Sequence, residues 1–371
     1  MHEFGNTSHN PTILLHTTYF LHFFSFWQWF HREIVDFSSI FLCIYIFFLY
    51  LCTLMKHIRI ISPASAIDAQ WINRAKVRLE QWGFSVSIGE HAYGNIGRFS
   101  ATDEERIGDL NAAFADPTVD IILCSRGGYG LQRIIDKIVL PDRPQSQWPL
   151  VVGFSDITAL HSLLSMNGVP SLHANMCKDL SLLPDDDIAL MAEKEFLTAT
   201  AFPSPLSFTS HHLPLVYHPA PHNARSPYTI HHTSHFPLNR NGEAKGKLIG
   251  GNLSVLYGLQ GTPFSLNRII EQCAQPPILF IEDISENHYH IDRMLHNLRM
   301  CGVFDEISGL VVGQFTDCAD DVSMGCTLLE SIRQVVEPYE FPVLFDYPSG
   351  HIDSNYPLLF SQEYHLLVAD F

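Results

Sequence analysis

The sequence predicts an α/β fold in which strands and helices alternate along the chain. Short apolar runs such as 58–61 are separated by segments in which apolar residues recur at helical spacing. The run IILC at the end of the predicted strand 119–124 is continuous rather than alternating, which is typical of a strand buried on both faces. Alternation of this kind gives a mostly parallel sheet covered by helices on both sides.

The predicted elements fall into two blocks. The first has strands at 58–61, 84–88, 119–124 and 150–154 and helices at 66–82, 102–114, 130–138 and 156–166. The second has strands at 277–281, 310–313 and 343–345 and helices at 252–259, 291–301 and 327–336. Thr102, followed three residues later by Glu105, is the signature of a capping box. We therefore predict a first domain at 57–178, a linker at 179–245 and a second domain at 246–371.

The composition excludes some classes of function. Hydrophobic residues make up 46% of the 371 residues, enough for a sizeable core in two domains. The net charge is −17, whereas binding to nucleic-acid phosphates needs clustered Lys and Arg. We therefore expect no nucleic-acid partner.

Cysteine and histidine spacing predicts neither a metal nor a cofactor. The eight cysteines contain no CxxC pair and no spacing suited to zinc, so we expect them to be reduced and buried. The linker is rich in proline at 201–240, which excludes regular helix there and leaves room for edge strands. It also contains seven histidines, but a proline-punctuated loop does not by itself hold ligands in fixed geometry. These are His211, His212, His218, His222, His231, His232 and His235.

The first 56 residues are distinct from the domains that follow. The segment 37–55 is uncharged and long enough to span a bilayer, so a membrane anchor is one interpretation. The other is an upstream translation artefact or a dispensable extension, because Met55 stands directly before the first strand. The lack of a basic region before the apolar run argues against a cleavable signal.

Two strand-to-helix turns in the first domain have the composition of a binding or catalytic turn. The glycines of Arg126-Gly127-Gly128-Tyr129-Gly130 allow close approach of a ligand and leave N–H groups free for an anion. The segment Gly153-Phe154-Ser155-Asp156-Ile157 resembles a nucleophile elbow without its final glycine. An equally good interpretation of this segment is that Ser155 or Asp156 caps the next helix.

Two segments of the second domain could complete a catalytic site. Glu282 and Asp283 follow an apolar strand, where they could either serve a ligand or cap the following helix. His351 lies in a loop that contains proline and glycine after another strand. Serine, acid and histidine thus occur in the chain order Ser155, Glu282, His351.

The chain from about residue 58 to its end resembles the LD-carboxypeptidases, the serine peptidase family that includes muramoyltetrapeptide carboxypeptidase and the microcin C immunity proteins. Five motifs in the family's order carry the resemblance: RGGYG, GFSDITALH, GKLIGGNLSVL, LFIEDISENHYHIDRML and DYPSGH. The resemblance implies a Rossmann-like (flavodoxin-like) N-terminal domain and a swivelling β/α C-terminal domain.

The resemblance also implies roles for particular residues. Ser155 would be the nucleophile, His351 its base and Glu282 the acid that orients the histidine. Backbone N–H groups at Gly128 and Asp156 would form the oxyanion hole. Arg126 and Gly127 are candidate contacts for the substrate, although Arg126 could equally brace the glycine turn.

For such an enzyme the implied substrate is a murein tetrapeptide, from which the terminal D-Ala is released during muropeptide recycling. The alternative within the family is an amide hydrolase of the microcin C immunity type acting on a peptidyl-nucleotide, for which Tyr217 and Tyr228 leave room. A different class would be a non-catalytic binding protein with the same fold. The resemblance further implies a cytoplasmic homodimer, unless residues 37–55 anchor the chain in a membrane.

Overall fold

The structure is a computed structural model that describes residues 55–202, 206–209, 217–218, 229–230 and 236–369. The candidate membrane segment 37–55 lies outside the described residues except for Met55. In the ranges that the structure describes, the helices are too short or too polar to cross a bilayer. Of the seven linker histidines, only the backbone of His218 falls within the described ranges.

Fourteen strands and nine α-helices are formed by the described residues. The strands are β1 (His57–Ile61), β2 (Ser85–Ile88), β3 (Ile121–Cys124), β4 (Leu150–Val152), β5 (Ser171–His173), β6 (Leu206–Thr209), β7 (Tyr217–His218), β8 (Thr229–Ile230), β9 (Gly242–Asn252), β10 (Ile278–Ile284), β11 (Gly309–Thr316), β12 (Val343–Leu344), β13 (Leu358–Phe360) and β14 (Glu363–Val368). The helices are α1 (Ala69–Gln81), α2 (Asp103–Ala115), α3 (Thr158–Met166), α4 (Cys177–Leu182), α5 (Ile188–Thr198), α6 (Leu253–Gly258), α7 (Leu266–Ile270), α8 (His288–Met300) and α9 (Leu328–Val335).

The first sheet has the strand order β13-β5-β4-β3-β1-β2. The five strands from the first half of the chain are parallel to their neighbours, which confirms the predicted mostly parallel sheet. The sixth strand, β13, follows the predicted second block in sequence but pairs antiparallel with β5. His351 lies in the loop before β13. The C-terminal end of this loop therefore joins the same sheet as β4, the strand directly before Ser155.

The second sheet has the strand order β12-β11-β10-β9-β14-β6. Strands β9 to β12 are parallel, and β14 lies antiparallel to β9. The edge strand β6 comes from the proline-rich segment, in agreement with the edge strands expected there. Strands β7 and β8 form a separate antiparallel pair.

Buried apolar side chains pack on both faces of each sheet. On the first sheet, one face is covered by α2 and α3 and the other by α1, α4 and α5. On the second, α6, α8 and α9 cover one face. The parallel strands are thus protected from solvent on both sides, as their apolar composition requires.

Two predicted helices have a different form. The segment predicted as a helix at 130–138 forms two 3₁₀ turns, Leu131–Arg133 and Ile135–Lys137, because Ile134 leaves helical geometry with φ −127°. The helix predicted at 156–166 opens with a 3₁₀ turn, Ser155–Ile157, before α3 begins. The capping box of Thr102 and Glu105 is confirmed at the start of α2.

The cysteines are only partly as expected. Cys124 and Cys177 are buried free thiols, and burial raises the pKa of both. Cys301 is exposed, so the expectation of burial is wrong there. It is the C-cap residue of α8 and directly follows Met300, which is exposed to solvent.

Candidate active site

Ser155 stands on a strained turn directly after β4. Its φ is +66°, in the left-handed region that residues other than glycine rarely adopt. Such a conformation persists only where surrounding structure enforces it, and it is enriched at functional sites. This backbone geometry is the one expected for a nucleophile on a strand-to-helix turn.

Neither Ser155 nor Asp156 caps the helix that follows. Ile157 precedes α3 and Phe154 precedes the 3₁₀ turn, and neither position has a side-chain cap. The Asp156 carboxylate instead accepts a hydrogen bond of 2.9 Å from the backbone N–H of Leu131. The capping interpretation of this segment is therefore wrong, and Asp156 ties the nucleophile turn to the chain after the glycine turn.

Asp156 is a buried acid. Desolvation raises its pKa, and the hydrogen bond from Leu131 and the charge of Arg106 oppose that rise. Arg106 is itself buried and donates to the carbonyls of Pro63 and Gly130. The sequence analysis missed Arg106, although a charged residue on the buried face of α2, in line with Leu110 and Phe114, was a usable signal.

The glycine turn packs directly against Ser155. A Cβ on Gly127 would lie 2.7 Å from Ser155 Cβ and 3.0 Å from its Oγ, so a side chain has no room there. Gly128 has φ +101°, and a Cβ on it would lie 2.4 Å from the Oγ of Ser65. The close approach to Ser155 explains the glycine at position 127, and the positive φ together with the contact with Ser65 explains the glycine at position 128.

Two backbone N–H groups beside Ser155 are free to bind a ligand. Among the hydrogen bonds within the described residues, none uses the N–H of Gly128 or of Asp156 as donor. The next N–H along the glycine turn, that of Tyr129, is taken by Ser65 Oγ at 3.1 Å. The two groups expected to form an oxyanion hole therefore have no protein acceptor within the described residues.

The acid and the histidine come together as expected. Glu282 Oε2 lies 2.7 Å from Nδ1 of His351, and the Glu282 side chain is fully buried. Glu282 lies within β10 rather than after it, since the strand continues to Ile284 past a bulge. A Cβ on Gly350 would lie 3.0 Å from Glu282 Oε2, so the glycine before the histidine lets the loop approach the acid.

The negative charge of Glu282 raises the pKa of His351. Burial lowers the pKa of the imidazole, but the charge of Glu282 and the hydrogen bond to it, with smaller effects from Asp283 and Asp179, outweigh burial. The pKa of His351 consequently lies above its ordinary value. The same contact fixes the tautomer, because Nδ1–H donates to the carboxylate and Nε2 is left to act as a base.

Asp283 has a separate, structural role. It accepts hydrogen bonds from the side-chain amide of Asn252 and from both the backbone N–H and the hydroxyl of Ser254, in the first turn of α6. Burial and the neighbouring charge of Glu282 raise its pKa to about 6. Helix α8, the next along the chain, starts after Asn287 with no side-chain cap, so the prediction that these acids cap it is wrong.

A cavity of about 710 Å³ connects these residues. Ser155, His351, Arg126, Gly127 and Gly128 all line it. Its other lining residues are apolar (Ile67, Trp71, Phe154, Met176, Ile284 and Ile352), charged (Asp68, Lys178, Asp179 and Asp353) or, in Ser125, polar and uncharged. Arg126 also donates to the carbonyl of Ala66 at 2.8 Å, so it braces the turn while it faces the cavity. Lys178 is a second cation there that the sequence analysis did not single out.

Ser155 and His351 face the same cavity without a hydrogen bond between them in the described structure. Catalytic contacts are often long in ligand-free enzymes and tighten when substrate binds. A search of the described residues finds no group of three or more His, Cys, Asp or Glu side chains arranged to hold a metal ion.

Comparison with known proteins identifies the family. Residues 58–174 match the model of the LD-carboxypeptidase N-terminal domain, and residues 245–366 match that of the C-terminal domain. The chain belongs to the LD-carboxypeptidase family. It is thus a member of a family of serine-type carboxypeptidases, as the motifs predicted.

Two relatives within the LD-carboxypeptidase family are named as murein peptide carboxypeptidases. A probable murein peptide carboxypeptidase of Bacillus subtilis is 32% identical over 301 residues, which is 79% of this chain and 82% of the relative. A murein tetrapeptide carboxypeptidase of Pseudomonas aeruginosa is 29% identical over 300 residues, 80% of this chain and 89% of the relative.

Solved structures confirm the fold of the LD-carboxypeptidase chain. Muramoyltetrapeptide carboxypeptidase from Oxalobacter formigenes superimposes with a TM-score of 0.64 at 24% identity, covering 84% of this chain and 95% of that one. The microcin C7 self-immunity protein, in complex with aspartyl sulfamoyl adenosine, has a TM-score of 0.64 at 20% identity and covers 83% and 92%. The predicted combination of a Rossmann-like and a swivelling domain is therefore confirmed.

Proposed function

We propose that this LD-carboxypeptidase family member hydrolyses the L,D-peptide bond that releases the terminal D-Ala from murein tetrapeptides. Ser155, His351 and Glu282 form the triad, and the reaction passes through an acyl-enzyme. The observation that carries the proposal is the buried 2.7 Å contact between Glu282 and His351, which opens onto the same cavity as the strained Ser155.

Acylation starts at the serine hydroxyl. A serine hydroxyl is a weak nucleophile, so Nε2 of His351 takes its proton as Oγ of Ser155 attacks the carbonyl carbon of the scissile bond. Glu282 stabilises the imidazolium that forms. The oxyanion of the tetrahedral intermediate accepts hydrogen bonds from the free N–H groups of Gly128 and Asp156, and loss of one such donor typically costs roughly 10²–10³ in rate.

The two later steps return the enzyme to its starting state. The tetrahedral intermediate collapses, the proton on His351 passes to the amine of D-Ala, and D-Ala leaves with the C–N bond broken. Water then attacks the ester on Ser155 while His351 accepts its proton. When the second intermediate collapses, the proton returns to Ser155 and the tripeptide leaves as a carboxylic acid.

The cavity is lined by both acids (Asp68, Asp179 and Asp353) and cations, and the cations can receive the free carboxylate of a small peptide. Arg126 and Lys178 are cations on its wall, and Arg126 stands next to the glycine turn that packs on Ser155. A cation there can pair with the terminal carboxylate of D-Ala and limit cleavage to the last residue. Arg126 and Gly127 are accordingly proposed as substrate contacts.

The test is release of D-Ala from a murein tetrapeptide by the full chain, followed with D-amino acid oxidase. The expected result is one equivalent each of D-Ala and tripeptide from wild type, and none from His351→Ala. A tetrapeptide that ends in L-Ala serves as the substrate control and should remain intact. If wild-type protein forms a covalent adduct with a fluorophosphonate but releases no D-Ala, the proposed substrate is wrong.

A second candidate function is amide hydrolysis in a peptidyl-nucleotide, as expected for the microcin C immunity type. The specific observation in its favour is Trp71, an indole on the cavity wall that could stack on a nucleobase. The side chains of Tyr217 and Tyr228 lie outside the described residues. Parallel incubation with tetrapeptide and with an aspartyl sulfamoyl nucleoside separates the two candidates by which one is cleaved faster at equal concentration.

The other expectations from the sequence concern cofactors, oligomeric state, location and biological role. The proposed reaction uses only protein groups and water, and no cofactor. The homodimer, the cytoplasmic location and a role in muropeptide recycling stay predictions that rest on the family resemblance.

A further inference from the structure

Asn355 lies four residues after His351 in a fully buried position. Its side-chain oxygen accepts a hydrogen bond of 2.9 Å from the backbone N–H of Gly350 and one of 3.1 Å from the hydroxyl of Ser349. The side-chain nitrogen has no partner among the described residues. The amide therefore acts here through its oxygen alone, and both bonds hold the two residues before His351.

Gly350 also lies against Glu282, the acid of the proposed triad, and Ser349 is bonded to the second sheet. Gly350 is the glycine whose missing side chain lets the loop approach Oε2 of Glu282. The carbonyl of Ser349 accepts a hydrogen bond of 2.9 Å from the backbone of Gln314 in β11. The hydrogen bonds of Asn355 thus close a turn. Ser349 bonds this turn to the second sheet, and His351 follows directly after Gly350.

The backbone of Asn355 connects the same turn to the first sheet. Its carbonyl accepts a hydrogen bond of 3.4 Å from the side chain of Asn175, just after β5. Two residues further, the N–H of Cys177 donates to the carbonyl of Ser125 at 3.2 Å, directly before the glycine turn. A run of buried hydrogen bonds therefore leads from the histidine loop to the turn that packs against Ser155.

We propose that Asn355 is a positioning residue for His351. Its oxygen fixes the turn so that Nδ1 meets Glu282 and Nε2 faces the cavity, and its carbonyl holds this turn in register with the nucleophile side. The inference rests on the proposed triad. It does not depend on which peptide is the substrate.

The test uses the full chain with three substitutions. Asn355→Leu has a similar volume but no acceptor, and Asn355→Ala is the second variant in case leucine prevents folding. Asn355→Asp keeps the oxygen and is the conservative variant. Ser354→Ala is the matched control, because the Ser354 hydroxyl is equally buried in the same loop and has no partner within the described residues.

Two measurements report on the position of His351, one through its hydrogen bond to Glu282 and one through its action as a base on Ser155. The first is the downfield proton NMR signal of the Nδ1–H that bonds Glu282, assigned by its loss in His351→Ala. The second is the rate of covalent labelling by a fluorophosphonate. Misplacement of a catalytic group by about 1 Å can cost on the order of 10²-fold, so Asn355→Leu should lose or shift the NMR signal and label roughly 10- to 100-fold more slowly. Asn355→Asp should recover most of the rate, and Ser354→Ala should match wild type.

The proposal is overturned if the folded leucine or alanine variant keeps the NMR signal in place and labels within about twofold of wild type. It is equally overturned if Ser354→Ala reproduces the defect, since the loop would then respond to any lost side chain. Failure to cleave a tetrapeptide, with the NMR and labelling results as expected, would contradict the proposed substrate and leave the positioning role supported.

Discussion

The two halves of the site hold their residues by different means. On the first sheet, Ser155 is fixed by backbone geometry, with φ +66° and no room for a side chain on the neighbouring Gly127. On the second sheet, His351 is fixed by side-chain hydrogen bonding, through the buried carboxylate of Glu282 and the amide of Asn355. We call the Ser155 side of the site the nucleophile half and the His351 side the base half. Activity should therefore be sensitive to added side-chain volume in the nucleophile half, and to altered charge or hydrogen-bond acceptors in the base half.

The difference follows from what each residue has to do. A nucleophile needs an exposed hydroxyl and nearby N–H donors, which a tight turn provides without side-chain partners. A base has to change its charge during the reaction, and a buried acid is needed to stabilise the charged form.

Glu282→Gln should damage the base half most. An amide can donate to Nδ1 and favour the wrong tautomer, which in a triad of this type lowers kcat by about 10⁴. The fold should persist, because the glutamine has nearly the same shape. The measurement is kcat/KM for D-Ala release together with thermal unfolding, and a folded variant with more than a tenth of wild-type activity would contradict the role of Glu282.

Gly127→Ala should damage the nucleophile half through volume alone. The new Cβ would lie 2.7 Å from Ser155 Cβ, so the serine has to move, and a loss of roughly 10²-fold in fluorophosphonate labelling is expected. Gly108→Ala is the control, since a Cβ there meets nothing within 4 Å in the middle of α2. Equal labelling of both variants would show that the two turns are not packed as described.

The pH dependence of kcat/KM should report the charge in the base half. His351 has to be neutral to accept a proton, and Glu282 holds the pKa of its imidazole above the ordinary value of 6.5. Activity should therefore fall as pH drops through a midpoint higher than 6.5, and the midpoint should move to lower pH in Glu282→Gln. A wild-type midpoint at or below 6.5 would be inconsistent with this pairing.

The smallest effects concern stability away from the site. Thr102 and Thr327 each form a capping box, with Glu105 at the start of α2 and with Glu330 at the start of α9. Replacement of either threonine by alanine should lower the free energy of unfolding by about 1 kcal/mol, as measured in urea, without a change in kcat/KM. A change in activity from either variant would mean that the helix ends are coupled to the site.

Much of the fold was predictable because local signals agreed with the tertiary structure. The apolar runs at β1, β3 and β10 and the capping box of α2 are visible in the sequence and recur in the structure. Strand β5 was missed because its sequence is SLH, with polar residues on both sides of Leu172, whereas β4 is equally short but is the apolar run LVV. The pairing of β13 with β5 was also missed, because it joins segments nearly 190 residues apart.

The site was predictable in part. Residue chemistry and order suggested Ser155, Glu282 and His351, and the family motifs decided between capping and catalysis. The roles of Arg106 and Asn355, and the bonds that Asp283 forms with α6, were not foreseen, since these residues act through contacts with residues distant in sequence or through loop geometry. A single sequence marks a buried polar residue only when it interrupts an apolar pattern, as Arg106 does on α2.

The measurement that tests the account most directly is the intact mass of the protein after reaction with a fluorophosphonate, followed by peptide mapping. The account predicts a single adduct on Ser155, formed by wild type and absent from folded Ser155→Ala. An adduct of equal yield in Ser155→Ala, or none on folded wild type, would contradict the serine mechanism.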